Sequence, residues 1–476
     1  MIRPTRRRFL QTTAAASTAF GLFTIAGTKA SGRVLGANDV IRVGVCGING
    51  RGGTHIGAFS GKEGSQVTYL IDPDSRLHES RAKTVRERGG NTPKTVQDVR
   101  EALEDSNLDA ISIATPNHWH SLLSIWACMA DKDVYVEKPL SHNIHEGRIL
   151  VDIARQRGRI VQHGTQSRSS GGNARDLAAI AAGKHGRLLV SRGLCYKRRG
   201  SIGEKSPGEP PQGLNFDLWL GPAQQQPYHG NLVHYNWHWF WDFGNGDIGN
   251  QGVHQMDIAR WKIPGATWPK SVISIGGRFG YEDQGETPNT QIAVFDYGTA
   301  LLVFEVRGLE TKGFRGNGPT VGNTVHFDSE AKPEPVEVTG LEGVKNPAAE
   351  RGPGDIFQNF LACVRSRDAS QLDAHVAEGH ISSGLCHLAN ISYRLGTEAP
   401  YSGAAKAFGD DKEAAETLER TREHLSEAGV PIDGLTYRVG RKLNFDAATE
   451  RFVGDEEANR LITREYRAPY TVPAKV

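Results

Sequence analysis

Two short apolar runs, one helix length apart, set the frame of this chain. Ala110 to Ala114 is apolar and stops at Thr115-Pro116-Asn117. Asp133 to Val136 repeats the pattern and breaks at Glu137-Lys138-Pro139, and His118 to Met129 between them carries enough apolar residues for one helix. Strand, helix and strand at this spacing predict a βαβ unit, whose parallel strands need cover on both faces. Both strands then end in polar residues at the carboxyl edge of the sheet, where open α/β sheets bind ligands. A residue before proline is held extended, so Lys138 is expected to project from its strand end into that crevice.

An earlier run has the same character. Val40 to Gly47 predicts a strand that feeds Ile48-Asn49-Gly50-Arg51-Gly52-Gly53 and then a helix-compatible segment. Gly47, Asn49 and Gly52 give G-x-N-x-x-G, a dinucleotide turn with one glycine replaced. Asn is the mildest replacement because it tolerates the left-handed conformation. Such glycines let backbone approach a pyrophosphate at a helix N-terminus. Val67 to Asp72 predicts a second strand ending in an acid, about 20 residues after Gly52. A carboxylate there bonds a ribose 2′-hydroxyl and repels a 2′-phosphate, which favours NAD over NADP.

Taken together, the glycine turn, Ile71-Asp72, Ala114-Thr115-Pro116-Asn117-His118-Trp119-His120 and Glu137-Lys138-Pro139 resemble the Gfo/Idh/MocA family, named for glucose–fructose oxidoreductase and inositol dehydrogenase. The resemblance runs from about residue 38 to 400. It implies an α/β architecture: an N-terminal Rossmann doubly wound parallel sheet, then a C-terminal α/β domain with a large, mainly antiparallel open sheet. That sheet would floor the substrate site and serve as a homo-oligomer interface. By the same resemblance, Gly47, Asn49, Gly50, Arg51, Gly52 and Asp72 would hold pyrophosphate and ribose. Thr115, Pro116, His120, Glu137 and Lys138 would line the nicotinamide side, with Lys138 also a catalytic base or hydroxyl clamp.

The rest of the pattern fits two domains and a tail. A helix at Ala174–Ala182 leads into a strand at Leu188–Tyr196, and Lys197–Gly213 is a Gly- and Pro-rich loop. Strands are expected at Ser271–Phe279, Gln291–Phe295, Leu301–Val306 and Val325–Phe327, a loop at Gly340–Gly354, and helices at Asp355–Arg365 and His375–Arg394. The expected organisation is a signal over 1–30, a nucleotide domain over 38–163, a substrate domain over 164–400 and a C-terminal extension over 401–476. Beyond residue 405 the chain is charged, with one helix at Asp411–Ala428 and a strand-poor tail.

Tyr235 to Phe243 packs six aromatics into nine residues. Aromatic faces stack on sugar rings, which makes Tyr235 and Trp237 candidate substrate contacts; an aromatic core or an oligomer interface accounts for the strip equally well. From about Gly249 a helix would place Asn250, His254 and Asp257 on one face, giving two more candidate substrate contacts around an imidazole suited to accept a proton. His254 falls on the His of the family pattern G-x-G-x-L-x-D-x-G-x-H, which implies a catalytic role. Asn250 departs from that pattern, which has Asp, and an amide cannot take up a proton.

Composition excludes more than it selects. Lys+Arg 56 against Asp+Glu 54 implies no polyanionic partner and no nucleic acid. The five cysteines have no zinc or redox spacing, and the pairs His118/His120 and His234/His238 lack a third ligand, so no metal is expected. Thr5-Arg6-Arg7-Arg8-Phe9-Leu10-Gln11, the apolar Ala14–Ala26 and Thr28-Lys29-Ala30 match a twin-arginine export signal with a cleavage site. An uncleaved anchor is the alternative, although the segment is short beside the ~20 residues of a span. No other stretch would cross a membrane, so the mature protein is expected to be soluble and periplasmic or otherwise exported. That route carries folded proteins, so a nucleotide would travel tightly bound inside. Three functions follow: an NAD-dependent oxidoreductase acting on a sugar, polyol or glycoside; a redox-neutral NAD-dependent glycosidase or lyase; or a non-catalytic sugar binder.

Overall fold

The computed structural model describes residues 40–331, 333, 354–401, 408 and 411–476. The expected export signal and the expected 340–354 loop, Gly354 excepted, lie outside the described residues.

Six short strands form the first sheet: β1 (Ile41–Cys46), β2 (Ser65–Ile71), β3 (Lys94–Val96), β4 (Ala110–Ile113), β5 (Asp133–Val136) and β6 (Val161–His163). They pair in the order β3-β2-β1-β4-β5-β6, every pair parallel. The order reverses between β1 and β4, which opens a crevice at the carboxyl edge there. All four residues of β4 and of β5 are buried, as strands covered on both faces must be. Helix α1 (Arg51–Phe59) follows β1, and α2 (Asn117–Met129), buried over Asn117–Cys128, joins β4 to β5.

The second sheet has nine strands. Its main path runs β11 (Val321–Asp328), β7 (Arg187–Tyr196), β10 (Leu301–Arg307), β9 (Thr290–Asp296), β8 (Ser271–Gly277), β13 (Thr436–Val439), β12 (Thr397–Pro400). Among the described residues only β7 and β10 of this sheet pair in parallel. On one face lie α3 (Gly246–Gly249), α4 (Gly252–Trp261) and α5 (Val376–Arg394), enclosing a core that includes Met256, Phe295, Phe304 and Leu385.

The other face is also covered. Helix α6 (Lys412–Glu427) lays Ala414, Leu418 and Leu425 over Val190, Ile292 and Val303. Beside them Arg192, Arg307, Arg420 and the Tyr196 hydroxyl surround the buried Glu305 carboxylate. The chain's own helix thus covers this part of the sheet.

The residues after 400 differ from expectation in their strands. β13 and β14 (Leu443–Asp446) both hydrogen-bond to β8, and β14 also pairs with β15 (Arg451–Phe452). These strands are two to four residues long and charged, too short for periodicity to reveal. The final stretch then returns to the first domain, where Tyr470 packs edge-on against Trp119. Among the described residues no helix is long and apolar enough to cross a membrane.

Candidate functional site

A cleft of about 340 Å³ opens at the carboxyl edge of the first sheet. Gly47, Asn49, Gly50, Arg51 and Asp72 line one end of it, and Thr115, Pro116, His120, Glu137 and Lys138 the middle. Tyr235, Trp237 and Asn250 complete the expected residues found there, whereas Gly52, His254 and Asp257 are not on its wall.

The glycine turn works differently from the expectation. Gly47 has φ +75°, and a Cβ on it would lie 2.7 Å from the Ala114 backbone. The second left-handed residue is Gly50 (φ 39°), not Asn49. Asn is accepted at 49 because nothing there demands a positive φ. Gly52 serves packing: its Cβ would stand 1.8 Å from the Gly47 oxygen, so its smallness lets α1 sit against the turn. No side chain caps the start of α1, which leaves polar backbone facing the cleft end.

At that end Asp72 is buried and fixed, its two oxygens accepting the N–H groups of Ile48 and Asp74 at 2.9 Å each. Burial raises its pKa, and these two bonds pull the other way. Thr115 lines the cleft, and its Oγ1 is buried with no partner, an orphan that calls for an explanation such as a bound water or ligand. An uncapped helix start, a close-approach glycine, a fixed carboxylate and an orphan hydroxyl in sequence along one cleft fit a dinucleotide.

Glu137 is the pin between the turn and the strand end. Its Oε1 accepts from Arg51 Nε at 2.7 Å, contacts His55 Nε2 at 3.2 Å and accepts from Gln166 Nε2 at 3.3 Å; Ser112 Oγ lies 2.8 Å from His55 Nδ1. Burial alone would raise the Glu137 carboxyl, but the His55 bond and the His55, Arg51 and Lys138 charges hold it well below the usual range. Arg51 is thereby fixed by Glu137 and lies on the cleft wall. His120 is a brace: its ring nitrogens face the carbonyls of Pro139 (2.6 Å) and Thr115 (2.8 Å), leaving only ring surface for a ligand.

Lys138 Nζ reaches across to donate to the backbone oxygen of Asn250 at 2.9 Å. Burial, with help from the Arg51 and Lys197 charges, lowers its pKa. That oxygen is available because the expected helix breaks. α3 ends at Gly249, Asn250 adopts φ −83°, ψ −87°, and α4 begins only at Gly252. The single face of Asn250, His254 and Asp257 therefore does not form, and Asn250 meets Lys138 with its carbonyl.

Asp257 does not line the cleft. It is fully buried and held by Arg168 at 2.8–3.0 Å and by Ser382 Oγ at 2.6 Å. Arg168 also bridges to Glu378 at 3.1 Å, so the carboxylate is consumed in a buried ion network. His254 is half-buried one turn earlier on α4, and its imidazole is pushed down to about 4, first by burial and then by the Lys138 charge.

The aromatic strip divides. Trp237, Phe240 and Phe243 join Phe216 and Trp219 in a buried cluster, while Tyr235 is 54% exposed at the mouth. Trp237 stacks on His238 with centroids 3.6 Å apart, and both line the cleft. Leu218, Trp219 and His234 also line it, and sequence reasoning missed them. In the sequence His234 stands out only as half of a histidine pair, and nothing in the local pattern ties any of the three to this cleft.

The chain matches a family model described as oxidoreductase family, NAD-binding Rossmann fold, over residues 41–165. The companion model, the family's C-terminal alpha/beta domain, matches 197–272 and 417–472. Among curated proteins, a glycosyl hydrolase family 109 protein 2 of Shewanella sp. (strain ANA-3) is 33% identical over 133 residues, 27% of this chain and 29% of that protein. A glycosyl hydrolase family 109 protein of Shewanella pealeana is 28% identical over 133 residues, with the same coverage. The chain thus spans less than a third of these relatives' length. Among solved structures, the WlbA dehydrogenase from Chromobacterium violaceum, in complex with NADH and UDP-GlcNAcA, superposes with TM-score 0.52 at 18% identity, covering 75% of this chain and 95% of that one. Its Bordetella pertussis counterpart gives 0.50 at 17%, covering 72% and 93%. These structural likenesses bear on the fold.

Proposed function

The chain belongs to the Gfo/Idh/MocA family of NAD-dependent oxidoreductases, and from that premise we propose that it oxidises a secondary hydroxyl of a sugar, polyol or glycoside, using a tightly held NAD. The observation that carries this reading is the Lys138 ammonium, on the cleft wall between the nucleotide end and the Tyr235–Trp237 side and hydrogen-bonded to a carbonyl. Gly47, Gly50, Arg51 and Asp72 would hold pyrophosphate and ribose, and Thr115 would satisfy its hydroxyl on the nucleotide. The Asp72 carboxylate disfavours a 2′-phosphate, so NAD is preferred to NADP. When bound, the nicotinamide accepts a hydride from the alcohol carbon and can return it.

The protein's own part is proton handling and orientation. A lysine with a lowered pKa spends more of its time neutral, and Lys138 then removes the hydroxyl proton or clamps the oxygen. Tyr235 and Trp237 offer apolar faces to a sugar ring. The Thr5–Gln11 signal supports export, and a nucleotide carried through export inside the folded protein supports tight binding.

A second reading is favoured by the relatives named glycosyl hydrolase family 109. A ketone at C3 acidifies the C2 proton; Lys138, which lines the cleft, removes it, the C1 substituent leaves, and water adds before the ketone is reduced again. The test is a glycoside carrying deuterium at C2, incubated with the enzyme and no added cofactor. Label washout with released sugar supports redox-neutral cleavage. Stoichiometric NADH with an intact glycosidic bond supports the oxidoreductase. Neither outcome with any of a panel of glycosides and polyols overturns both.

A further inference from the structure

The second domain reaches back over the nucleotide end of the cleft. The Gly213 carbonyl accepts from Ser75 N at 3.0 Å and from Gln97 Nε2 at 3.1 Å, and Asn215 N donates to Pro73 O at 2.8 Å. Further along the same stretch, His234 Nε2 meets Asp74 Oδ2 at 2.9 Å. Asp74 is two residues beyond Asp72, and His234, Leu218 and Trp219 share the cleft wall with Asp72, Gln97 and Asp98. Residues 213–243 thus arch across the ribose end. The arch is stiff, because Leu214, Phe216, Trp219, Leu232, Trp237 and Phe243 give it a buried core of its own.

The C-terminal stretch ties the arch down from outside. Arg467 Nε donates to the carbonyls of Gly221 (2.9 Å) and Ala223 (3.1 Å), and its terminal nitrogens reach Asp217 Oδ1 at 2.5 Å and Asp217 O at 2.7 Å. Tyr470, three residues on, packs against Trp119 and Trp126 of α2, with ring centroids 5.4 and 6.3 Å apart. Trp119 in turn donates to the Trp219 carbonyl at 3.1 Å. The arch is therefore pinned at its inner edge by His234–Asp74 and at its outer edge by Arg467.

We propose that His234 and Arg467 are the two pins of a lock that sets how fast the nucleotide leaves; this rests on the reading of a tightly held NAD. With both pins closed, the ribose end is roofed and departure requires the arch to lift. Arg467 does so without touching the cleft.

The test follows release from the full-length, NAD-loaded protein chased with excess etheno-NAD. His234→Ala and Arg467→Ala should each speed release by about tenfold or more, the scale of one lost charge-assisted hydrogen bond. Turnover per bound nucleotide in Arg467→Ala should match the parent. Thermal unfolding of the nucleotide-stripped His234→Ala protein should remain one cooperative transition, which shows that faster release does not come from an unfolded arch. Parent-like release in both variants overturns the lock while leaving tight binding intact. If Arg467→Ala does not fold, His234→Ala alone decides the matter in the same way. Release from the parent within the mixing time overturns tight binding, and the lock with it.

Discussion

Lys138 Nζ lies 2.9 Å from the carbonyl oxygen of Asn250, the residue at which the path between two helices of the second domain breaks. One hydrogen bond thus joins the strand end of the nucleotide domain to the substrate domain, with the ammonium group on the wall of the cleft between them.

Lys138→Ala should therefore lower turnover by at least about two orders of magnitude, the range of a lost acid–base group, with nucleotide content unchanged. Steady-state rates beside nucleotide released on denaturation check this, and parent-like turnover would remove Lys138 from the chemistry.

Asp72→Ser should relax the preference for NAD over NADP, because the carboxylate that would repel a 2′-phosphate is gone. Dissociation constants for both nucleotides, measured on stripped protein, decide it. An unchanged ratio would place the discrimination elsewhere.

Gly52→Ala should cost about 1–3 kcal/mol or more through overpacking, since its Cβ would stand 1.8 Å from the Gly47 oxygen. The turn must shift, so nucleotide content should fall together with the thermal midpoint. A stable, fully loaded variant would show that the turn has slack.

Acid should destabilise the fold through its buried imidazoles. Burial pushes His118, His163, His238 and His387 down to about 3, and His254 and His424 to about 4, from 6.5. Folded values below the unfolded one mean that this stability is whole above pH 6.5 and is lost as pH falls toward 4. Each such group steepens the loss by up to about 1.4 kcal/mol per pH unit. Glu146, raised by burial to about 7, has the opposite sign: its contribution is present below 4.5 and lost as pH rises through 7. The lowered imidazoles outnumber the raised carboxylates, Asp72, Asp133 and Glu286 included, so denaturant midpoints should drop steadily from pH 7 to pH 5; a flat profile would contradict the lowered imidazole values.

What could be read from the sequence was local in the chain. The glycine turn, Asp72 and Glu137-Lys138-Pro139 each sit at the end of a short apolar strand, and the strand alone fixes the edge they reach. What escaped depended on partners far along the chain. Asp257 looked available until Arg168, 89 residues away, took its carboxylate. Arg51 was read as a pyrophosphate contact, and its bond to Glu137 spans 86 residues. The break at Asn250 was hidden because Gly249-Asn250-Gln251-Gly252 is weakly helical yet lies between helical stretches on both sides. The strands after residue 430 escaped for a different reason: they are edge pieces stabilised by β8 rather than by their own pattern.

The return of Tyr470 to Trp119 has a consequence in time. A ribosome finishes the nucleotide half long before it makes Arg467 and Tyr470, and domains fold as they emerge. During that interval the crevice between β1 and β4 exists without the outer tie that Arg467 gives residues 213–243. If the nucleotide is held as proposed, that interval is when it would enter most readily, and a fusion partner that delayed docking of the last dozen residues would prolong it.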